Sequence, residues 1–322
     1  KEGFYVDYLS SMIFMDVDGK FNVTHITLDG FVELSRYRYL YFIITFTSYI
    51  LIMCFNSSIV CIIVVHKNLH EPMYVFIAAL LINSILFSTL IYPQILIDLL
   101  SEKQIISYTA CLFQWFVGYS STGSEFCLLA AMAYDRYVSI CKPLHYANIM
   151  TKTTVSVFLL SAWILPACHS VIPVVLSANM KLCMFVYEGI ICSSTVYKLH
   201  CVSSRLLHLY GVVAVINVVV LPVVFILFTY TRIFVITFKS CREVRRKAAQ
   251  TCLPHLLVLI SFSCLCMFEV LLARLDDSFP KTVRLIIALQ IILYHPLFNP
   301  IIYGLKMKEI HKHLRSLFIK TL

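Results

Sequence analysis

Seven long apolar segments constrain the fold of this chain more than any other feature. Each approaches or exceeds the roughly 20 residues that an α-helix needs to cross about 30 Å of hydrocarbon. Of the 322 residues, 60% are hydrophobic and 13% charged, whereas soluble domains are about 45–50% apolar and about 25% charged. The excess apolar surface must therefore face lipid. We place the segments at Leu40–Val65, Met73–Leu99, Thr109–Ile140, Val155–Ala178, Leu207–Phe238, Thr251–Ala273 and Val283–Leu305.

The apolar segments have the pattern of helices rather than of membrane strands. Stretches such as Tyr49–Phe55 are continuously apolar, whereas the strands of a membrane barrel alternate. The segments show neither a fixed repeat nor the inverted pair of broken helices found in many transporters. We predict an all-α membrane protein with a seven-transmembrane helix bundle. Residues 1–38 would form an extracellular segment, 39–305 the bundle, and 306–322 a short amphipathic helix in the cytoplasm.

The distribution of basic residues predicts the orientation, because Lys and Arg accumulate in short cytoplasmic loops. With the N-terminus outside, the inner side carries 15 Lys and Arg against 4 Asp and Glu, and the outer side 11 against 13. We expect a multi-pass plasma-membrane protein with an extracellular N-terminus. The basic clusters at Arg242–Lys247 and Lys306–Lys320 then face anionic lipid or an acidic partner, so the net charge of +9 does not indicate nucleic acid.

The tripeptide Asn22-Val23-Thr24 lies in the N-terminal segment. It is an acceptor for N-glycosylation, which is usable only on the lumenal side. It agrees with the orientation predicted from charge, and we expect a glycan on Asn22.

Four cysteines lie on the predicted outer side, where an oxidising environment allows disulfides to persist. Cys111 opens the third segment, and Cys183, Cys192 and Cys201 follow in the long loop before the fifth. A bridge from Cys111 to this loop would fold it over the bundle, and a second bridge, preferably Cys183–Cys201, would stiffen it. Cys192 is then the partner of Cys111, although four cysteines admit three pairings. A zinc site is the alternative, but none of the four lies in a Cys-x-x-Cys pair.

The charged pair Asp135-Arg136 lies at the inner end of the third segment. A charge at a membrane face is costly unless it is paired or functional. The pair is either a simple interfacial salt bridge or a latch that frees Arg136 for a cytoplasmic partner. Charge and position alone do not distinguish these two interpretations.

Four sequence motifs resemble those of vertebrate odorant receptors, a branch of the rhodopsin-like G-protein-coupled receptors. The resemblance extends from about Tyr41 to Leu317, and the cysteine-rich outer loop is similar to that of fish odorant receptors. The motifs are LHEPMY at Leu69–Tyr74, MAYDRYVSICKPLHY at Met132–Tyr146, KAAQTCLPHL at Lys247–Leu256 and PLFNPIIYG at Pro296–Gly304.

The resemblance implies a set of residues for activation and G-protein coupling. Independently, Pro300 removes a backbone hydrogen bond and is expected to kink its helix, while Asn299 and Tyr303 present polar groups on one inner face. An inert membrane proline is the alternative interpretation. The implied set is Asp135, Arg136, Tyr137, Tyr230, Asn299, Pro300 and Tyr303.

Glu125 lies in mid-membrane, about three helical turns from Arg136, and an intramembrane carboxyl group is a candidate for function. It matches a glutamate with which odorant receptors, together with a second-helix acid, are thought to bind sodium. The corresponding second-helix position here is Ser84, which argues against a sodium ion. We expect Glu125 to be neutral or hydrogen-bonded to Ser84 or Asn299. The sixth helix also departs from the family pattern, at Ser263-Cys264.

The resemblance also implies a ligand pocket in the outward halves of the third, fifth and sixth helices. Its lining would be apolar with few hydroxyl groups, which suits a small organic odorant. Ordinary helix packing is the alternative for each of these residues. They are Gly118, Tyr119, Thr122, Gly123, Ala214, Val215, Val218, Cys266, Met267 and Val270.

The function implied by the resemblance is odorant binding followed by activation of a heterotrimeric G protein of the stimulatory olfactory type. No cofactor is expected, and no set of residues with catalytic spacing supports an enzyme. A rhodopsin-like receptor for another ligand is the first alternative, and a transporter or channel is the second. A retinal-binding opsin is disfavoured because Val283–Leu305 contains no lysine.

Overall fold

The computed structural model describes residues 25–202, 204–238, 242–274 and 280–321. Asn22, the expected glycosylation site, lies outside these residues. The described chain forms seven long helices and a shorter terminal one. They are α1 (Leu34–Val65), α2 (Pro72–Leu100), α3 (Tyr108–Cys141), α4 (Lys152–Ala178), α5 (Arg205–Phe238), α6 (Arg242–Arg274), α7 (Lys281–Lys306) and α8 (Lys308–Thr321).

The helices begin where local chemistry favours a helix start. Ser107, Thr151 and Ser204 are the N-caps of α3, α4 and α5, and each side-chain oxygen accepts a hydrogen bond from a backbone N–H of the first turn. Pro72 is the first residue of α2, a position where its missing N–H costs nothing.

Each predicted transmembrane segment corresponds to one of the seven long helices, and the predicted all-α fold is confirmed. By length and composition alone, four described helices are apolar enough to cross a membrane, namely α1, α2, α4 and α5, and α7 is a fifth if its two bent halves count as one span. Helix α3 carries buried polar residues along its length, and α6 contains a shorter apolar stretch, His255–Met267. Helix α3 packs against α2, α4, α5 and α6 at the centre of the bundle, so it needs less apolar surface for lipid.

A three-stranded sheet covers part of the outer side. Strands β1 (His25–Leu28), β2 (Ile105–Ser107) and β3 (Val186–Tyr187) have the order β2-β1-β3. Strand β1 pairs antiparallel with β2, with Ile26 opposite Ile106, and parallel with β3, with Leu28 opposite Tyr187. The sequence analysis did not predict these strands, because strands of two to four residues are too short to show periodicity.

The terminal helix α8 contacts the inner side of the bundle. Met307 and Ile310 are buried, and the ring of His313 lies 3.9 Å from that of His66. The predicted tail helix from residue 306 corresponds to α8.

Candidate ligand cavity and signalling site

The outer loop, residues 179–202, is fixed above the bundle by two disulfides. Cys111 is bonded to Cys192, and Cys183 to Cys201, which are the pairs preferred from the sequence. The side-chain oxygen of Gln114 accepts a hydrogen bond from the backbone N–H of Cys192 at 3.1 Å. The loop is therefore held to α3 by both a covalent bond and a hydrogen bond.

The main cavity lies beneath this loop, between α3, α4, α5 and α6, and has a volume of about 170 Å³. Its lining is largely apolar, and the described lining residues include no Asp, Glu, Lys or Arg. They are Trp115, Tyr119, Thr122, Gly123, Pro166, His169, Ser170, Pro173, Ser194, Tyr197, Leu207, His208, Gly211, Ala214, Val215, Val218, Val219 and Cys266.

Most of the predicted ligand residues line the main cavity, but three do not. Gly118 lines a neighbouring cavity. Met267 is 58% exposed. It follows Cys266 in the helix, and the rotation of about 100° per residue turns its side chain away from the cavity and toward lipid. The prediction that Met267 lines the ligand pocket is therefore wrong. The side chain of Val270 lies outside the described residues. Those that line the main cavity are Tyr119, Thr122, Gly123, Ala214, Val215, Val218 and Cys266.

Helix α4 contributes cavity residues that the sequence analysis missed. His169 of α4 is hydrogen-bonded to the hydroxyl of Tyr210 at 3.1 Å. A second histidine of the cavity, His208 of α5, packs edge-on against Tyr197 of the outer loop at 4.8 Å. The pocket implied by the family resemblance was confined to the third, fifth and sixth helices. A histidine within the apolar segment Val155–Ala178 was the available signal.

A second cavity of about 60 Å³ lies between α2, α3 and α7. Polar side chains of Asn83, Ser84, Gln114 and Glu125 contribute to its wall, and Tyr119 and Thr122 line both this cavity and the main one. The two cavities are therefore neighbours separated by side chains of α3.

A third cavity of about 240 Å³ lies further out, between the outer loop and α7. Ile191, Ser193 and Ile291 line both this cavity and the second. At its rim, Arg284 of α7 forms an ion pair with Glu188 of the outer loop. The three cavities thus form a series from the outer surface to the middle of the bundle.

Glu125 is buried in mid-membrane and accepts a hydrogen bond from the side-chain amide of Asn299 at 2.6 Å. Asn299 was one of the two partners expected from the sequence. The hydroxyl of Ser84 instead donates to the carbonyl of Leu80 within its own helix. Among the described residues, no group of three or more His, Cys, Asp or Glu side chains is arranged to hold a metal ion.

The prolines of α7 leave carbonyl groups without their helical donors, and neighbouring helices supply replacements. Helix α7 bends by 43° between Tyr294 and Pro296, so the kink expected at Pro300 lies one turn earlier. In a regular helix the carbonyl of Ile292 would accept from the backbone N–H of residue 296, which is a proline and has none. The hydroxyl of Tyr92 donates to this carbonyl instead, at 3.2 Å. The carbonyl of Pro296 would bond to the N–H that the buried Pro300 lacks, and the amide of Asn56 donates to it at 2.8 Å.

Asp135 and Arg136 form a contact at the inner end of α3. The Nε and Nη2 atoms of Arg136 lie 3.0 and 2.5 Å from Asp135 Oδ2, and the hydroxyl of Tyr146 donates to Oδ1 at 2.7 Å. Asp135 is fully buried. Burial and the hydrogen bond to Asp135 raise the pKa of Tyr146, so its phenol keeps the proton that it donates. Tyr137, on the next position, is half-buried against the inner core.

Tyr230 and Tyr303 are both buried near this contact. The hydroxyl of Tyr303 lies 3.3 Å from Nδ1 of His255 on α6, and His255 is buried too. His255 lies within the motif at Lys247–Leu256, but no role was predicted for it. A histidine within an apolar helix was the available signal that its side chain bonds within the bundle.

Comparison with known proteins gives one consistent result. A family model described as olfactory receptor matches residues 45–321. Human olfactory receptor 13C2 is 31% identical over 298 residues, covering 90% of this chain and 93% of the relative. Mouse olfactory receptor 4E2 is 33% identical over 309 residues, covering 92% and 98%. Human olfactory receptor 4S2 is 31% identical over 302 residues, covering 92% and 95%.

Proposed function

The chain belongs to the olfactory receptor family, and on that premise we propose how its geometry serves an odorant receptor. The protein is a multi-pass plasma-membrane receptor that binds odorants and activates a heterotrimeric G protein. We assign the odorant to the main cavity and G-protein coupling to the inner ends of α3, α5 and α6. Coupling to the stimulatory olfactory G protein, which raises cyclic AMP, is part of the proposal.

The observation that supports this assignment most strongly is the position of both sites on one helix. Helix α3 supplies Tyr119, Thr122 and Gly123 to the main cavity and Asp135 and Arg136 to the inner contact. Gly123 and Arg136 are about 20 Å apart along the helix axis. A change in the packing of α3 against α5 and α6 at the cavity therefore acts on the same element that carries the inner ion pair.

The cavity supports a small and uncharged ligand. Its described lining contains no acidic or basic side chain other than histidine, so a charged ligand would be desolvated without a counter-ion. The volume of about 170 Å³ is close to that of an engineered cavity of roughly 150 Å³ that binds benzene. An amine ligand is disfavoured because the outward part of α3 presents Gly118 and Tyr119 rather than an acid.

Activation follows from a difference in affinity between two states of the bundle. A ligand shifts the balance only if it binds one state more tightly than the other. In the active state, α6 moves away from α3 on the cytoplasmic side. Arg136 then leaves Asp135 and forms the floor of a crevice for the α-subunit of the G protein, with Tyr230, Asn299, Pro300 and Tyr303 rearranging around it.

The test is expression in cells with a cyclic AMP reporter and an odorant panel, using four receptors: wild type, Arg136→Ala, Val218→Phe and Val224→Phe. Val218 lines the cavity, whereas Val224 on the same helix is 56% exposed. We expect Arg136→Ala to abolish the response and Val218→Phe to lower sensitivity tenfold or more, while Val224→Phe responds like wild type. A response that survives Arg136→Ala, or a receptor that answers only to a hormone, contradicts the proposal.

A further inference from the structure

The second cavity is a mainly apolar chamber next to the main cavity, and the polar side chains of Asn83, Ser84, Gln114 and Glu125 form part of its wall. The two cavities share Tyr119 and Thr122 of α3. Two of these polar groups are already engaged: the amide of Asn83 donates to the carbonyl of Ser121, and Glu125 accepts from the amide of Asn299. Hydrogen bonds within the bundle therefore hold this polar part of the wall in place.

Gln114 lines this chamber with a donor that the protein itself does not use. Its side chain is 5% exposed. Its amide oxygen accepts from the backbone N–H of Cys192, which directs the oxygen toward the outer loop and fixes the orientation of the amide group. Within the part of the chain that the structure describes, its amide nitrogen makes no hydrogen bond.

The amide nitrogen of Gln114 has two N–H donors, and Gln114 lines the chamber, where a molecule with an acceptor can reach it. Leaving such a donor unsatisfied costs about 1–3 kcal/mol, and most buried polar atoms in proteins have a partner. The Cys111–Cys192 disulfide and the hydrogen bond to Cys192 prevent Gln114 from turning away without disturbing the loop. An acceptor within the chamber, either water or the oxygen of a ligand, is therefore the way to satisfy it.

The volumes of the two cavities limit what that acceptor is. The chamber of about 60 Å³ has roughly a third of the volume of the main cavity, so it suits a small polar group better than a ring. The main cavity of about 170 Å³ accommodates a benzene-sized apolar body. A small molecule would occupy both spaces if its apolar body lay in the main cavity and its single oxygen-bearing group passed Tyr119 and Thr122 into the chamber.

We propose that the chamber is a subsite for the hydrogen-bond-accepting oxygen of a ketone, aldehyde or alcohol, and that Gln114 donates to that oxygen. The apolar body of the ligand occupies the main cavity, so this inference rests on the proposed odorant site. Gln114 then determines specificity for oxygenated odorants over hydrocarbons of the same shape. Because Gln114 also bonds to Cys192, it links the ligand directly to the outer loop.

The experiment measures cyclic AMP dose–response curves with ketones and alcohols, each paired with a hydrocarbon of the same shape. Acetophenone with isopropylbenzene and 2-octanone with 2-methyloctane are two such pairs. The receptors are wild type, Gln114→Glu, Gln114→Met and Gln290→Glu. Gln114→Glu keeps an oxygen for the N–H of Cys192 but loses the amide donor, and Gln114→Met loses both. Gln290 is exposed on α7 and is the matched control.

We expect wild type and Gln290→Glu to respond to an oxygenated odorant at a concentration at least tenfold lower than to its hydrocarbon partner. Both Gln114 variants should reduce this preference to about twofold or less, whereas a purely structural effect would weaken both members of a pair equally. Surface labelling separates loss of folding from loss of recognition.

Two results overturn the inference while leaving the proposed function intact. One is a wild-type receptor that responds to odorants without preferring the oxygenated member of any pair, in which case the chamber holds only water. The other is a preference that is unchanged in Gln114→Glu and Gln114→Met. A wild-type receptor that reaches the surface and responds to no odorant contradicts the proposed function itself.

Discussion

The outer and inner halves of the helix bundle are held together by different kinds of interaction. The outer half contains two disulfides, a three-stranded sheet and two ion pairs. The ion pair Lys281–Asp29 joins α7 to the turn after β1, and Arg284–Glu188 joins α7 to the outer loop. It also contains the three cavities. Covalent bracing allows this half to keep its shape around space that a ligand fills.

The inner half has a large apolar core and no disulfide among its described residues. Its core joins residues of α1 to α8, with Phe76, Phe126, Met132 and Tyr303 fully buried. The polar contacts within it are single hydrogen bonds and the Asp135–Arg136 pair. None of these contacts is covalent, so the difference between the halves agrees with the proposal that the conformational change occurs on the cytoplasmic side.

The largest effect should come from removing the disulfide between α3 and the outer loop. Cys111→Ser opens a bridge that spans 81 residues, whereas Cys183→Ser opens one that spans 18. In the chain-entropy description these losses are about 4.5 and about 3 kcal/mol. Flow cytometry should show more than a tenfold loss of surface receptor for Cys111→Ser and a smaller loss for Cys183→Ser. The reverse order would show that the outer half is not braced mainly through α3.

An intermediate effect should come from the wall between α3, α4 and α5. A Cβ at Gly123 would lie 2.5 Å from Val218 Cγ1 and 2.6 Å from Pro166 Cβ, whereas a Cβ at Gly118 meets no atom within 4 Å. Gly123→Ala should therefore lower the unfolding free energy by about 1–3 kcal/mol, whereas Gly118→Ala should raise it by up to about 1 kcal/mol, because alanine is favoured over glycine within a helix. Thermal unfolding of the detergent-purified receptors measures both. Equal melting temperatures would mean that this wall is not closely packed.

The smallest effect should come from the inner half and should change signalling rather than folding. Tyr146→Phe removes the hydrogen bond to Asp135 Oδ1, worth about 1 kcal/mol, and so weakens the contact that holds Arg136. We expect two- to tenfold higher cyclic AMP without odorant, at unchanged surface expression. Tyr134→Phe, the same substitution on a tyrosine that packs edge-on against Phe158, is the control. Unchanged basal cyclic AMP in Tyr146→Phe would argue that the contact does not restrain activation.

The sequence by itself determined the number of helices, their approximate limits and the orientation, and the family resemblance supplied seven of the eighteen residues that line the main cavity. These properties depend on local hydropathy, on the count of basic residues per side and on motifs that lie within one segment. The sequence also identified the four cysteines of the outer side but left three pairings open, and the structure contains the preferred pairs Cys111–Cys192 and Cys183–Cys201.

The tertiary structure alone decided which polar groups become partners. Glu125 bonds to a residue 174 positions away and Asn56 to one 240 positions away, and the orphaned carbonyls of α7 receive donors from α1 and α2. No local pattern encodes such pairs, because they depend on how helices rotate and pack. The same rotation turned Met267 toward lipid, placed Gly118 at a separate chamber and left the amide of Gln114 facing it.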